Sequence, residues 1–205
     1  MIRFRVPHRL GPFRVLRSAR RTLPSAFVKD ERGAALLEFA VALPLLVVFT
    51  VGIFDFSGAF NQRQKIEQAA QQGAIIAGAQ PMTDIGANPA SLQAVATSVF
   101  NSLTANGVVP TGGCTAPGAV TGGPPSLTWT YKISPCPDTL VVTINRGWVC
   151  PTPCSLGPPA AVGTTVTVAY PYHWRFNSVI QLLVPGATYA ATTQITESST
   201  VHNQL

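Results

Sequence analysis

An apolar run of 21 residues, residues 34–54, most constrains what this chain can fold into. Its only charged side chain is Glu38. A helix rises about 1.5 Å per residue, so a run of this length spans roughly 30 Å, the thickness of a bilayer's hydrocarbon core. The alternative is a helix buried in a protein core, but a strongly basic arm directly before the run favours a membrane span.

The charge of the chain is concentrated in that arm. Residues 1–33 contain nine Lys/Arg and two acidic residues, whereas residues 34–205 contain five bases and six acids. By the positive-inside rule the arm stays in the cytoplasm and the chain after residue 54 is exported. Residues 55–64, DFSGAFNQRQ, contain no clear A-x-A cleavage site, so we expect a retained anchor and not a removed signal peptide. The nearly neutral remainder argues against a nucleic-acid-binding domain.

Glu38 is unusual inside such a run. A carboxylate in a membrane helix costs about 3 kcal/mol on insertion scales, so it indicates a function with a specific partner. Cleavage after Gly33 would give Ala34 a free ammonium group, which could pair with Glu38 of a neighbouring copy. The alternative is that Glu38 reaches the lipid headgroups from the start of the helix.

The four cysteines all lie in the last 92 residues of the chain. An even number beyond a membrane segment predicts two disulfides in an oxidising compartment. Three pairings are open, although one pair is close enough in sequence for a small local loop. The rival interpretation is a zinc site with His173 or His202, which the absence of a C-x-x-C pair disfavours. We expect no metal and no cofactor. The cysteines are Cys114, Cys136, Cys150 and Cys154.

The helix is predicted to continue beyond the apolar run and to stop near residues 78–81. Small residues form a narrow stripe along it, which favours packing on the chain's own domain over a neighbouring copy. These are Ile66, Ala69, Ala70, Gly73, Ala74 and Ala77. A second helix is predicted from a cap at Asn88 and Pro89 to Asn106-Gly107. Its apolar face contains Leu92, Val95, Ala96, Val99, Phe100 and Leu103.

Alternating apolar residues then predict four strands, at residues 127–133, 140–144, 166–170 and 189–195. Residues 111–125 and 148–163, which are rich in Gly and Pro, are predicted to be loops, and residues 178–184 a short helical turn. The predicted fold class is α+β: a long N-terminal transmembrane helix continues into a small periplasmic domain with a second helix and an antiparallel sheet. The predicted boundaries are leader 1–33, membrane helix 34–54, helix extension 55–80 and domain 81–205.

Residues 31–46, ERGAALLEFAVALPLL, resemble the TadE-like family of tight-adherence (Flp, type IVb) pilus proteins. The likeness includes Pro44 in the membrane helix, Asp55-Phe56 and residues 69–74, and it continues loosely in a strand pair at 165–172 and 186–197. The resemblance implies a prepilin peptidase that cuts after Gly33, with Glu38 and Phe39 at the recognised positions. Phe39 stands where major pilins have tyrosine.

The resemblance implies a minor pilin (pseudopilin) or pilus assembly protein of a Flp pilus secretion system, because the chain is much longer than a major pilin. The expected partners are the inner membrane, the prepilin peptidase, other pilin-like subunits and the assembly machinery. The expected location is the bacterial inner membrane, single-pass, with the domain periplasmic or incorporated into a pilus. The alternative is an anchored extracytoplasmic binding module. An enzyme is not expected, because the sequence has no G-x-S-x-G, H-E-x-x-H or phosphate-loop motif.

Overall fold

The computed structural model describes residues 31–149, 162–176, 181, 186 and 192–204. The leader before residue 31, Cys150 and Cys154 lie outside the described residues, as does most of the helical turn predicted at 178–184. The chain divides into two compact units, Met1–Leu43 and Pro44–Leu205.

A single long helix, α1, spans Glu31–Gly78 (48 residues). It ends where the sequence predicts, just before Pro81. The stripe of small residues is buried in the core of the chain's own domain, which confirms the interpretation that this packing uses the stripe. The approach is close: a Cβ added to Gly73 would lie 2.6 Å from Val99 Cγ2 and 3.2 Å from Val166 Cγ1. Only a glycine therefore lets α1 come this near to its neighbours.

The second helix, α2, spans Ala90–Ala105, and most of its predicted apolar face is buried. The prediction that Asn88 caps it is wrong. Pro89 is the N-cap residue, and the acceptor for the free Ser91 N–H is the Asp84 carboxylate, at 2.9 Å. Asn88 precedes the cap by one position, whereas a cap side chain must start from the cap residue to reach the first free amides. Asp84 supplies the same bond from the preceding loop.

The remaining elements form one antiparallel sheet in the order β1-β2-β3-β4-β5. The strands are β1 Ala119–Gly123, β2 Thr128–Cys136, β3 Asp138–Val149, β4 Val162–His173 and β5 Thr192–His202. Each strand pairs with the next in the chain, as in a meander. The predicted α+β class with a long apolar N-terminal helix is therefore confirmed.

The observed strands differ from the predicted ranges, and β2, β3 and β4 all extend beyond them. The loop predicted at 148–163 is wrong at both ends, because β3 continues to Val149 and β4 begins at Val162. β1 lies inside the loop predicted at residues 111–125. The prediction missed this strand because its sequence, AVTGG, shows no apolar alternation. Leu127 is not in β2 but in the turn before it, with φ of 50°. β5 extends to His202, beyond the predicted end at residue 195, because it is rich in Thr and Ser and seven of its eleven residues are exposed. Its pairing with β4 agrees with the closing strand pair of the resemblance.

The core lies between the sheet and the two helices. Alternate residues of the three central strands are fully or almost fully buried against the helices, as their period-two patterns predict. These are Trp129, Tyr131, Ile133, Leu140, Val142, Ile144, Val166, Val168 and Tyr170. A disulfide between Cys114 and Cys136 joins the loop after α2 to the end of β2. It is one of the pairs left open by the sequence, and a disulfide at these two cysteines excludes them as zinc ligands.

Candidate functional site

The first part of α1 presents large apolar side chains on its surface. Phe39 is 63% exposed, Phe49 64% and Phe54 74%. Within Gly33–Gly78, the most apolar 18-residue window has none of its residues buried. The helix is long and apolar enough to cross a membrane, and the exposure fits a lipid environment because water would strongly disfavour so large an apolar surface.

The residues predicted for processing and assembly lie in the first two turns of α1. Gly33, Ala34, Glu38 and Phe39 are all exposed, and a Cβ added to Gly33 would meet nothing within 4 Å. Ala34 and Glu38 are four residues apart, so they share one face of the helix. Among the described residues Glu38 makes no hydrogen bond or ion pair. A partner for this carboxylate would therefore come from outside the described part of one copy.

Pro44 lies inside α1. It has no N–H, so the carbonyl of Ala40 receives no helical hydrogen bond from this position. Two turns later, Thr50 Oγ1 donates to the Leu46 carbonyl at 2.8 Å. Proline is tolerated in membrane helices, where local adjustment and hydroxyl side chains satisfy freed carbonyls.

Asp55, the first residue after the apolar run, attaches the helix to the domain. It is only 5% exposed. Tyr172 Oη donates to Asp55 Oδ1 at 2.8 Å and is 3.0 Å from the Asp55 carbonyl oxygen. The Phe176 N–H donates to Asp55 Oδ2 at 2.8 Å. Both carboxylate oxygens are therefore satisfied by the end of β4 and the segment after it.

The Tyr172 hydroxyl is held in its donating form. Burial, together with the hydrogen bond to Asp55 and its negative charge, raises the pKa of Tyr172 to about 12. Gly58, one turn after Asp55, leaves room for this hydroxyl: a Cβ there would lie 2.6 Å from Tyr172 Oη. Asp55, Gly58, Tyr172 and Phe176 form one unit, which we call the Asp55 lock.

Further polar contacts hold the second half of α1 to the domain. Gln62 Nε2 donates to the Pro171 carbonyl at 3.3 Å. Arg63 pairs with Glu197 on β5 at 2.5 Å, and Lys65 Nζ donates to the carbonyl of Asn106 at 2.8 Å. Together with the lock, these contacts fix α1 against both β4–β5 and the end of α2.

Arg146 on β3 holds the chain just after α1. Its side chain is completely buried, with Nη2 2.6 Å from the Gln80 carbonyl and Nη1 3.0 Å from the Pro81 carbonyl. Burial lowers the pKa of Arg146, while the nearby Asp84 opposes that change. The pKa of Asp84 is lowered, first by the hydrogen bond from the Ser91 backbone and also by the charge of Arg146. The guanidinium thus satisfies carbonyls that no longer have a helical partner.

A further contact between titratable groups joins the end of β4 to the start of β3. His173 Nε2 is 2.7 Å from Asp138 Oδ2, and its Nδ1 is 3.3 Å from the Thr192 hydroxyl. Among the residues that the structure describes, no group of three or more His, Cys, Asp or Glu could hold a metal ion.

Sequence reasoning did not identify the Asp55 lock. A usable signal existed: a carboxylate directly after a membrane-length apolar run needs polar partners at that depth. Tyr172 and Arg146 carried no comparable signal, because their importance depends on contacts made across 117 and 66 residues of sequence.

In the part of the chain that the structure describes, one helix, α1, is long and apolar enough to span a membrane, and the same helix contributes its later turns to the core of an α+β domain. Residues 33–74 match the family model described as TadE-like protein, which confirms the resemblance over the segment that carries it. No curated protein and no solved structure matches the chain.

Proposed function

We propose that this chain is a minor pilin (pseudopilin) or pilus assembly protein of a tight-adherence (Flp) pilus secretion system, without catalytic activity of its own. Residues 34–54 span the bacterial inner membrane, the basic leader is cytoplasmic and the domain is periplasmic. The observation that carries the proposal is the difference in burial between the first and second parts of α1. Its first part is exposed, apolar and contains Glu38, whereas its second part has one face, the stripe from Ile66 to Ala77, buried in the domain.

This difference in burial also limits where other subunits can bind. The small-residue stripe between Ile66 and Ala77 is already covered by α2 and the sheet, so it offers no surface to a neighbour. The face left for helix–helix contacts is the exposed apolar part of α1. In that part a carboxylate needs a cationic partner, since an uncompensated charge in hydrocarbon is costly.

In this proposal the prepilin peptidase cuts after Gly33 and creates the cation. The new ammonium group of Ala34 in one copy pairs with Glu38 of a neighbouring pilin-like subunit during assembly. The Cys114–Cys136 disulfide supports an oxidising location for the domain, because such bonds persist in the periplasm and are rare in the cytoplasm.

The test is Glu38→Ala, with Glu67→Ala as the matched control because Glu67 is exposed on the domain half of the same helix. We expect Glu38→Ala to reach the inner membrane in unchanged amounts but to be lost from the sheared pilus fraction and from complexes with other subunits. Glu67→Ala should behave like the wild type in both fractions.

An anchored binding module that does not assemble makes the opposite prediction. A mere anchor is improved by removing a carboxylate from its membrane segment. Normal adherence and unchanged co-purification of Glu38→Ala with pilus subunits would therefore favour the binding module over our proposal.

A further inference from the structure

The apolar face of α1 does not stop at Asp55. Phe49, Ile53, Phe56 and Phe60 follow one another at helical spacing, and each is more than half exposed. Phe60 lies six residues beyond the end of the apolar run, which is about 9 Å along a helix. The opposite side of the same turns is covered by the Asp55 lock. Around α1, the apolar surface therefore extends further on one side than on the other.

A shallow groove of about 210 Å³ continues this face onto the sheet. It is lined by Phe56, Ala59, Phe60, Arg63, Trp174 and Ile195. The Trp174 ring packs edge-on against Phe56, with centroids 5.3 Å apart, and its Nε1 donates to Thr193 Oγ1 at 2.6 Å. The ring thus has a fixed orientation, with its polar edge satisfied and its apolar body in the groove.

The segment after β4 reaches alongside the last turns of the apolar run. A Cβ added to Gly52 would lie 4.0 Å from the Phe176 ring, and the Phe176 N–H is bound by Asp55. Two arginines border this region: Arg63 is 57% exposed at the side chain, and Arg175 is exposed next to Trp174. Aromatic rings at the end of a span with arginines beside them form the pattern that anchors proteins at the lipid headgroup level.

We propose that this face, Phe56, Phe60, Trp174 and the groove between them, is seated in the outer headgroup and upper acyl-chain region of the phospholipid bilayer. The inference rests on the proposed membrane span and adds that the domain itself touches the lipid. Two observations select lipid as the occupant. The face is continuous with the exposed apolar run, and the exposed Arg175 beside Trp174 offers a guanidinium to lipid phosphates, whereas Arg63 is already paired with Glu197.

The consequence is that the domain has a fixed height and tilt on the membrane. The lock ties β4 to α1 at Asp55, and Trp174 then follows at a set distance from the span. A subunit held in this way presents one defined orientation to its neighbours, whereas a domain on a flexible linker would sample many.

The test is quenching of Trp174 fluorescence by brominated phosphatidylcholine in vesicles that contain the full chain. The bromines are placed either near the headgroup end or near the methyl end of the acyl chains. The emission of Trp174 is obtained by subtracting the spectra of Trp174→Phe and Trp174→Tyr, so that the assignment does not depend on one variant. We expect headgroup-end bromines to remove the larger part of this emission, and methyl-end bromines to remove little.

Phe49→Trp in the Trp174→Phe background tests the span separately. Quenching of this tryptophan by methyl-end bromines, without quenching of Trp174, would retain the membrane span and overturn the docking of the domain. If neither is quenched, the span itself is wrong. Trp174 emission could instead be insensitive to brominated lipid and be protected from quenching by aqueous iodide only at a high protein-to-lipid ratio. That pattern would show that a second copy covers the face. That result would also overturn the proposal.

Discussion

The Asp55 lock makes a quantitative prediction about two residues on different elements, Gly58 on α1 and Tyr172 on β4. Tyr172→Phe removes the hydroxyl that donates to the buried Asp55 carboxylate at 2.8 Å. A hydrogen bond to a charged group contributes about 2 kcal/mol, so the free energy of unfolding should fall by that amount. The Phe176 N–H remains as the second donor to the carboxylate.

Gly58→Ala should destabilise the wild type through the same bond. The new Cβ would lie 2.6 Å from Tyr172 Oη, which must move away and lose its contact with Asp55. Against this loss, alanine gains about 1 kcal/mol over glycine within a helix. The net cost in the wild type is therefore about 1 kcal/mol, since about 2 kcal/mol is lost with the bond.

In the Tyr172→Phe background the sign should reverse. The hydroxyl is gone, and the nearest remaining ring atom lies 3.7 Å from the added Cβ, an ordinary contact. Gly58→Ala should then stabilise by about 1 kcal/mol, which gives the two sites a coupling energy of about 2 kcal/mol.

The assay is equilibrium unfolding of the domain by urea, followed by near-UV circular dichroism of the full chain in detergent micelles. Gly52→Ala is the matched control, because its Cβ would be 4.0 Å from Phe176 and should have the same effect in both backgrounds. If Gly58→Ala costs the same in the wild type as in the Tyr172→Phe background, the lock does not exist as described.

Three further predictions concern the domain. Burial raises the pKa of Tyr131 from 10.0 to about 12, so the folded state favours the neutral phenol. The contribution of this phenol to the free energy of unfolding should be complete below pH 10 and should be lost as the pH rises towards 12. Tyr131→Phe should reduce this loss of stability at high pH. The measurement is the urea midpoint at pH values from about 9 to about 12. A midpoint that falls with pH as steeply as in the wild type would contradict the role given to Tyr131. Arg146→Met should lower the free energy of unfolding by about 3 kcal/mol, because two carbonyls lose a charged donor. The control Lys132→Met, at an exposed site, should lower it by less than about 0.5 kcal/mol. Equal urea midpoints for the two variants would be inconsistent with the role of Arg146. Reduction of the disulfide, or the double substitution Cys114→Ser with Cys136→Ser, should lower the free energy of unfolding by about 3 kcal/mol, because the bond closes a loop of moderate length. Non-reducing peptide mapping that finds either cysteine paired elsewhere would refute the connectivity.

The sequence was sufficient for elements with strong periodic patterns. The stripe from Ile66 to Ala77, α2 and the three central strands carry their buried faces in their own spacing. The apolar run has no buried face and is identified by its length and composition. β1 could not be found this way, because Gly122 and Gly123 have no side chain to alternate and take positive φ values. Its existence depends on pairing with β2, which is information that lies outside its own five residues.

The candidate site divides in the same manner. Gly33, Ala34, Glu38 and Phe39 are adjacent in the chain, so a local motif identified them and the helix keeps them together. The Asp55 lock joins residues far apart in sequence, and neither Tyr172 nor Phe176 differs by type or spacing from other aromatic residues. Asn88 was wrong as a cap because several polar residues precede α2, and the chain path selects which of them reaches its free amides.

The central claim is that cleavage after Gly33 leaves α1 as a membrane-inserted helix with a new amino terminus at Ala34. This terminus can pair with Glu38 of a neighbouring subunit. The most direct measurement is the amino-terminal sequence and intact mass of the protein extracted from native membranes, in cells with and without the prepilin peptidase. The account predicts Ala34 as the first residue in the presence of the peptidase and a chain that retains residues 1–33 in its absence. An unprocessed amino terminus in both strains would contradict it.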